Sequence, residues 1–217
     1  MKLFKVEKAV LLGLMITVIA ASLSSFSVFA KQCSDIRGKV LRLHIIANSD
    51  SKADQQLKLS VRDRILRESQ ELFIAADNKE EAEENVREKL PEIIKIAQDE
   101  VKREGFNYKV NAQLVNMYFT TRKYDNITLP AGYYDAVRIT IGEAKGHNWW
   151  CVLFPSLCIP ASSEEQKQEI SDVLSPDEEN IVENSDKPDI KIKFKVVELF
   201  EQCDDFLKTF RDNVFSQ

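Results

Sequence analysis

The stretch from Pro130 to Cys158, PAGYYDAVRITIGEAKGHNWWCVLFPSLC, constrains the fold more than any other. Tyr134 to Ile141 alternates, with Val137, Ile139 and Ile141 on one face and Arg138 and Thr140 on the other. A period of two predicts a half-buried strand. Gly142 and Gly146 bracket a polar connection, and Trp149 to Phe154 is then continuously apolar until Pro155. The pattern predicts two neighbouring strands, the second buried on both faces or keeping one face for a partner.

The same reasoning applies along the rest of the chain. Val40 to Ala47 alternates Leu41, Leu43 and Ile45 against Arg42 and His44, which predicts a first strand with a wet face. Asn48-Ser49-Asp50-Ser51 is a cluster of helix-capping side chains. A helix is expected from Lys52 to about Ala75, with Leu57, Val61 and Ile65 on its inner stripe. A second starts at Asp77-Asn78 and either kinks or restarts at Pro91 before ending near Gly105. Tyr108 to Phe119 reads as a strand. Asp189 to Val197 alternates Ile190, Ile192, Phe194 and Val196 with three lysines and also reads as a strand, followed by an amphipathic helix from Leu199 to Phe215.

The predicted fold is α+β: a largely antiparallel sheet with helices packed on one face, in the order β-α-α-β-β-β-linker-β-α. The expected organisation is an export signal over 1–30, a main α+β domain over 31–160, an acidic flexible linker over 161–189, and a strand and helix over 190–217 that complete the domain.

The export signal rests on Lys2, Lys5 and Lys8 preceding an uncharged stretch from Ala9 to Ala30, with Val28-Phe29-Ala30 as a cleavage site. That stretch is also long enough to be an uncleaved anchor. Lys31 and Gln32 stand where a lipoprotein cysteine at position 33 would need small residues. The net charge is −5, and residues 1–30 contribute three lysines and one glutamate, so the remainder is more acidic still. That disfavours nucleic acid as a partner, and contact with a membrane is expected only through the N-terminal segment.

Four cysteines, Cys33, Cys151, Cys158 and Cys203, suggest disulfides in an exported chain. A bridge from Cys151 to Cys158 requires the chain to reverse near Phe154-Pro155-Ser156. The alternatives are free thiols or pairing with Cys33 or Cys203. The cysteine spacing and only two histidines argue against a metal site. A Cys151 nucleophile would need His147 or His44 as its base. The plainer reading makes His147 a loop residue and His44 a strand-surface residue. Asp50 and Asp54 have the spacing of an acid/base pair, and equally of residues that cap and charge a helix start. Trp149 and Trp150 point to opposite faces if extended. One then fills the core and the other is a candidate interface anchor, unless helices cover both.

Three stretches carry a family resemblance. They are Ala47-Asn48-Ser49-Asp50-Ser51 with Asp54-Gln55-Gln56-Leu57-Lys58 and Val61-Arg62-Asp63; Leu129-Pro130-Ala131-Gly132-Tyr133-Tyr134 with Ala136; and Asn148-Trp149-Trp150-Cys151-Val152-Leu153-Phe154-Pro155 with Leu157-Cys158. Together they resemble the stage II sporulation protein R family of endospore-forming bacteria. The resemblance implies a signalling protein exported from the forespore into the space between forespore and mother cell. There it would trigger a membrane-embedded aspartic protease that processes pro-sigma E. It implies a non-catalytic activator without a cofactor. The residues expected to meet the protease are Asn48, Asp50, Asp54, Trp149 and Trp150. A secreted thiol- or carboxylate-dependent hydrolase and a septal scaffold are the competing readings.

Overall fold

The computed structural model describes residues 2–68, 76–124, 126–155, 157 and 170–215. Its elements in order are α1 (Lys2–Gly38), β1 (Leu41–Ile46), α2 (Lys52–Glu68), α3 (Lys79–Arg103), β2 (Val110–Phe119), β3 (Arg122–Tyr124), β4 (Ile127–Leu129), β5 (Gly132–Ile141), β6 (Asn148–Phe154), α4 (Ile170–Val173), α5 (Pro176–Glu183) and α6 (Pro188–Phe215).

The four longer strands form one sheet in the order β2-β5-β1-β6. β2 and β6 pair antiparallel with their neighbours, and β1 runs parallel to β5 with Leu41 beside Asp135 and Ile45 beside Ile139. β3 and β4 form a small separate ribbon. The architecture is α+β, with a mostly antiparallel sheet and helices packed against it.

Alternation decides what each face meets. Leu41, Leu43, Ile45, Val137, Ile139 and Ile141 point to one side and pack with Leu57, Val61 and Ile65 of α2 and Ala82, Val86, Ile93, Ala97 and Val101 of α3. Each such Leu, Ile or Val contributes about 1.5–3 kcal/mol relative to leaving it exposed. Asn78 caps α3, its side-chain oxygen accepting from the Glu81 N–H at 2.9 Å. The helix runs through Pro91 without a restart, and its inner stripe is unbroken from Ala82 to Val101. It closes with paired bonds from Gly105 N–H to Lys102 O and Phe106 N–H to Val101 O, a Schellman end. Gln98 then clasps the start of β2, donating to Tyr108 O at 2.8 Å and accepting from Val110 N–H at 2.9 Å.

The opposite face was expected to be wet and is covered. Phe29, Cys33 and Ile36 of α1, Ile170 of α4, Ile181 and Val182 of α5, and Ile190, Phe194 and Val197 of α6 pack over Tyr134, Ala136, Phe119 and Val152. Helices therefore lie on both sides of the sheet, and Arg42 and His44 are buried. Within the expected linker, residues 170–183 contain two helices that contribute to this layer, and Lys39 bonds Glu178 of α5 at 2.6 Å. Positions 158–169 lie outside the described residues, as does the part of the expected first helix over 69–75.

The strand expected over 189–197 is the first part of α6, one helix from Pro188 to Phe215. Its apolar residues satisfy both periods at once. Ile190, Phe194 and Val197 recur at helical spacing and are buried, which leaves Ile192 and Val196 outside. Pro188 sits in the first turn, where its missing N–H costs nothing. No sheet edge receives this segment, and the burial of one helical stripe wins over strand propensity.

α1 is one unbroken helix across the expected cleavage site at residues 28–30. Val10 to Val28 is uncharged and, apart from the partly buried Phe26, exposed, a length of about 28 Å that matches a hydrocarbon core of about 30 Å. The helix fits a signal sequence or an anchor. Its last turns belong to the domain: Phe29 shares an inward stripe with Cys33 and Ile36, so the boundary drawn at residue 30 falls inside a packed helix.

Candidate functional site

Two connections meet where β1 and β5 end: the loop from Ala47 to Ser51 and the turn from Gly142 to His147. Backbone bonds join them, Lys145 N–H to Asn48 O at 3.1 Å and Gly146 N–H to Ala47 O at 3.0 Å. The Asn48 side chain joins three segments. Its oxygen accepts from Glu143 N–H at 2.9 Å, and its amide donates to Asp54 Oδ2 at 2.9 Å. Gly142 has φ +58, and a Cβ there would stand 2.2 Å from Asn48 Oδ1. A Cβ on Gly146 would meet Ser49 O at the same distance. Both turn positions therefore need glycine.

Asp54, in the first turn of α2, is buried and accepts from Ser49 Oγ at 2.5 Å. Burial works to raise its carboxyl, but hydrogen bonds from Ser49, Asn48, Tyr108 and Ser51 outweigh that and hold it below the usual carboxylate range. Ser51 Oγ in turn accepts from the Asp54 N–H at 3.1 Å and caps α2. Asp50 accepts from the His147 N–H at 2.6 Å and pairs with the ring Nδ1 of the same residue. Lys58, also buried, donates to His147 O at 2.8 Å and to Gln55 Oε1 at 2.7 Å. Burial comes first among the causes that lower its pKa.

The structure thus gathers Asn48, Asp50 and Asp54 into one corner and sets β6 beside it. His44 Nε2 lies 2.9 Å from Asn148 Oδ1, and its ring stacks on Trp150 at 3.8 Å. Trp150 also meets Phe119 edge-on at 4.8 Å. Trp149 points to the other face, under the Arg62 guanidinium at 4.8 Å. Both tryptophans are half-buried, so neither is the freely exposed anchor that alternation allowed. His44 is not a surface histidine. Burial lowers its pKa to about 4, with nearby Arg138 and Arg42 adding to the effect and the Asn148 bond opposing it.

Arg42 is the residue that sequence reasoning missed. It is fully buried, with its guanidinium 3.9 Å from the Phe119 ring, 4.7 Å from Tyr134 and 5.6 Å from Tyr124. It donates to the Tyr124 hydroxyl, while Nε and Nη1 make no hydrogen bond. A cation held largely by ring faces fastens the β3–β4 ribbon to the sheet. The sequence signal was an arginine beside His44 on the polar side of an otherwise apolar strand.

The side chains gathered here are hydrogen-bonding and aromatic groups. Cys151 is disulfide-bonded, so its sulfur is not a thiolate nucleophile. Cys33 is a buried free thiol and Cys203 an exposed one. Cys158, the expected partner of Cys151, lies outside the described residues. Asp50 and Asp54 are each committed to loop and cap bonds rather than shared as a pair. The Ser49 hydroxyl is bonded to Asp54, away from His147. Among the described residues no group of His, Cys, Asp or Glu is placed to hold a metal ion.

The corner sits at the end of the sheet opposite the α1 junction. At that junction Arg37 Nη1 donates to Ala131 O at 3.0 Å, where β5 begins. The apolar N-terminal helix and the polar corner thus lie at opposite ends of the sheet.

The family model described as "Stage II sporulation protein R" matches residues 37–164, from the docked end of α1 through every strand. The stage II sporulation protein R of Bacillus subtilis (strain 168) is 37% identical over 180 residues, covering 75% of this chain and 80% of that protein. No solved structure matches. The chain belongs to the stage II sporulation protein R family, whose members are sporulation signalling proteins.

Proposed function

We propose that this chain is exported from the forespore and, from the extracytoplasmic side, activates the membrane-embedded aspartic protease that processes pro-sigma E in the mother cell. It acts as a ligand and performs no catalysis of its own. The observation that carries the reading is the placement of the corner. Asn48, Asp50 and Asp54 are joined in one hydrogen-bonded corner, with the Trp149–Trp150 strand beside it, at the end of the sheet away from the α1 junction.

A ligand shifts a protease between inactive and active states only through different affinity for the two. A surface whose loops are mutually hydrogen-bonded loses little freedom on binding, which favours that discrimination. The oxidised Cys151 and the committed carboxylates support a non-catalytic role. The space between the forespore and mother-cell membranes is the location this mechanism requires.

The test is co-expression of this chain, the protease and pro-sigma E in a non-sporulating cell, with Asp50→Ala and Trp149→Ala variants. Cleavage that falls severalfold for folded corner variants supports the surface. Full cleavage with all five positions, Asn48, Asp50, Asp54, Trp149 and Trp150, replaced by alanine in a folded protein contradicts it.

A further inference from the structure

We infer that the outward face of α6 is a coiled-coil seam through which two copies of this chain pair in parallel. Ile192, Val196, Leu199, Cys203 and Phe206 are spaced alternately four and three residues apart, the a/d pattern of a two-stranded coil. All are at the surface: Leu199 is 63% exposed, and Phe200 and Leu207, which widen the same stripe, are 71% and 62% exposed. The inward face of α6 is already occupied. Ile190, Phe194 and Val197 are in the core, Glu201 pairs with Arg37 at 2.9 Å, and Asp205 accepts from the Tyr133 hydroxyl. One helix therefore has two apolar stripes on opposite sides: the inward one packs into the domain, and Ile192, Val196, Leu199 and Phe200 of the outward one are exposed.

Three observations choose a second copy as the occupant. The first is direction. Phe29 of α1 meets Phe194 of α6 with ring centroids 5.4 Å apart, and Arg37 meets Glu201 one stretch further along both helices, so α1 and α6 run side by side in the same sense. Copies inserted through α1 in one membrane share an orientation. Their α6 helices then meet parallel and in register about a twofold axis along the membrane normal.

The second is depth. Leu199 to Leu207 lie about 8–20 Å further along the axis than Phe194, at 1.5 Å per residue. The exposed apolar part of α1 ends at Val28, where Phe29 turns into the domain core, so this part of the seam stands beyond the lipid-facing stretch.

The third is fit. In the parallel register Lys195 falls opposite Phe200 of the second copy and Gln202 opposite Leu207, which avoids like charges across the seam. Covering these side chains on both copies removes on the order of 1,200 Å² from water, the lower bound of a standard specific interface. Cysteine packs as a small apolar side chain at such a position, and the two Cys203 thiols come face to face.

The test uses the full chain in detergent micelles. Sedimentation gives the mass, and a short bismaleimide, which adds one thiol to each of its two double bonds, reports on Cys203. Cys33 is fully buried and Cys151 is oxidised, so Cys203 is the reactive site among the described cysteines. The expected result is a dimer that cross-links through Cys203, loses the cross-link in Cys203→Ser, and weakens at least roughly tenfold in Leu199→Glu while the helical far-UV signal of the folded chain is unchanged. With the thiol moved, Val196→Cys in the Cys203→Ser background should link and Glu198→Cys, on the inward side, should not. A monomer, or a dimer indifferent to Leu199→Glu or lacking the Cys203 link, overturns the inference. The result does not depend on the protease, so it stands or falls separately from the proposed function.

Discussion

Asn48 Oδ1 accepts a 2.9 Å hydrogen bond from Glu143 N–H and lies 2.2 Å from the place a Cβ on Gly142 would occupy. The two connections at the end of the sheet are therefore interlocked: the turn closes only because position 142 has no side chain. Gly142→Ala must both hold a left-handed φ of +58 and push Asn48 aside. We expect it to lower stability by about 1–3 kcal/mol. Thermal melts of the variant and of Asn48→Ala, which removes the obstruction, check this. A Gly142→Ala protein as stable as the parent would show that the interlock is not what fixes the turn.

His44 makes stability depend on acidity. Its pKa falls from the ordinary 6.5 to about 4 in the fold. Below pH 6.5 the unfolded chain takes up a proton that the folded chain refuses, so stability is lost as pH falls toward 4 and the loss then levels off. The slope in that window is about 1.4 kcal/mol per pH unit from this group. Urea midpoints at pH 7, 5.5 and 4.5 should fall in step, and His44→Gln should flatten the profile. An unaltered slope in His44→Gln would assign the acid sensitivity to carboxylates.

Arg42 brings a charge into the core with rings and one hydroxyl as partners. Desolvating a guanidinium is expensive, and apolar replacements of buried ions are often neutral or stabilising. Arg42→Met should thus stay within about 1 kcal/mol of the parent or exceed it, whereas Arg42→Ala leaves a void and should lose about 2–5 kcal/mol. Denaturant unfolding of both variants separates the cases. A loss above about 3 kcal/mol in Arg42→Met would mean that the charge itself stabilises the ribbon contact.

Cys151→Ser distinguishes a structural sulfur from a reactive one. Removal of the disulfide should lower stability by about 2–4 kcal/mol. Signalling should then track the amount of folded protein. Signal lost while the thermal midpoint is unchanged would restore the thiol-dependent hydrolase.

Much of the sheet was legible because alternation survives tertiary packing. β1, β2 and β5 follow the period-two pattern in sequence, β6 stood out as a continuous apolar run closed by Pro155, and Asn78 announced the start of α3 by its own capping chemistry. The corner was legible only in part: Ser49 and Ser51 accept from nearby backbone, whereas Asn48 and Asp50 reach the backbone of Glu143 and His147, far along the chain. What was not legible depends on residues far apart in sequence. Arg42 alternates like a solvent-facing residue, and only Phe119, Tyr124 and Tyr134 bury it. Ile190 to Val197 obeys strand and helix periods together, so the choice fell to the layer formed with Phe29 and Ile181. The parallel pairing of β1 with β5 leaves no mark in either strand.

The central claim is that the exported domain is a sufficient trigger. The most direct measurement is an immunoblot of pro-sigma E in a non-sporulating cell that makes the protease and this chain, either with its N-terminal segment or with residues 1–28 removed so that it stays in the cytoplasm. The account predicts cleavage with the exported chain and none with the retained one. Cleavage by the retained chain, or none by the exported chain beside a competent protease, would contradict it.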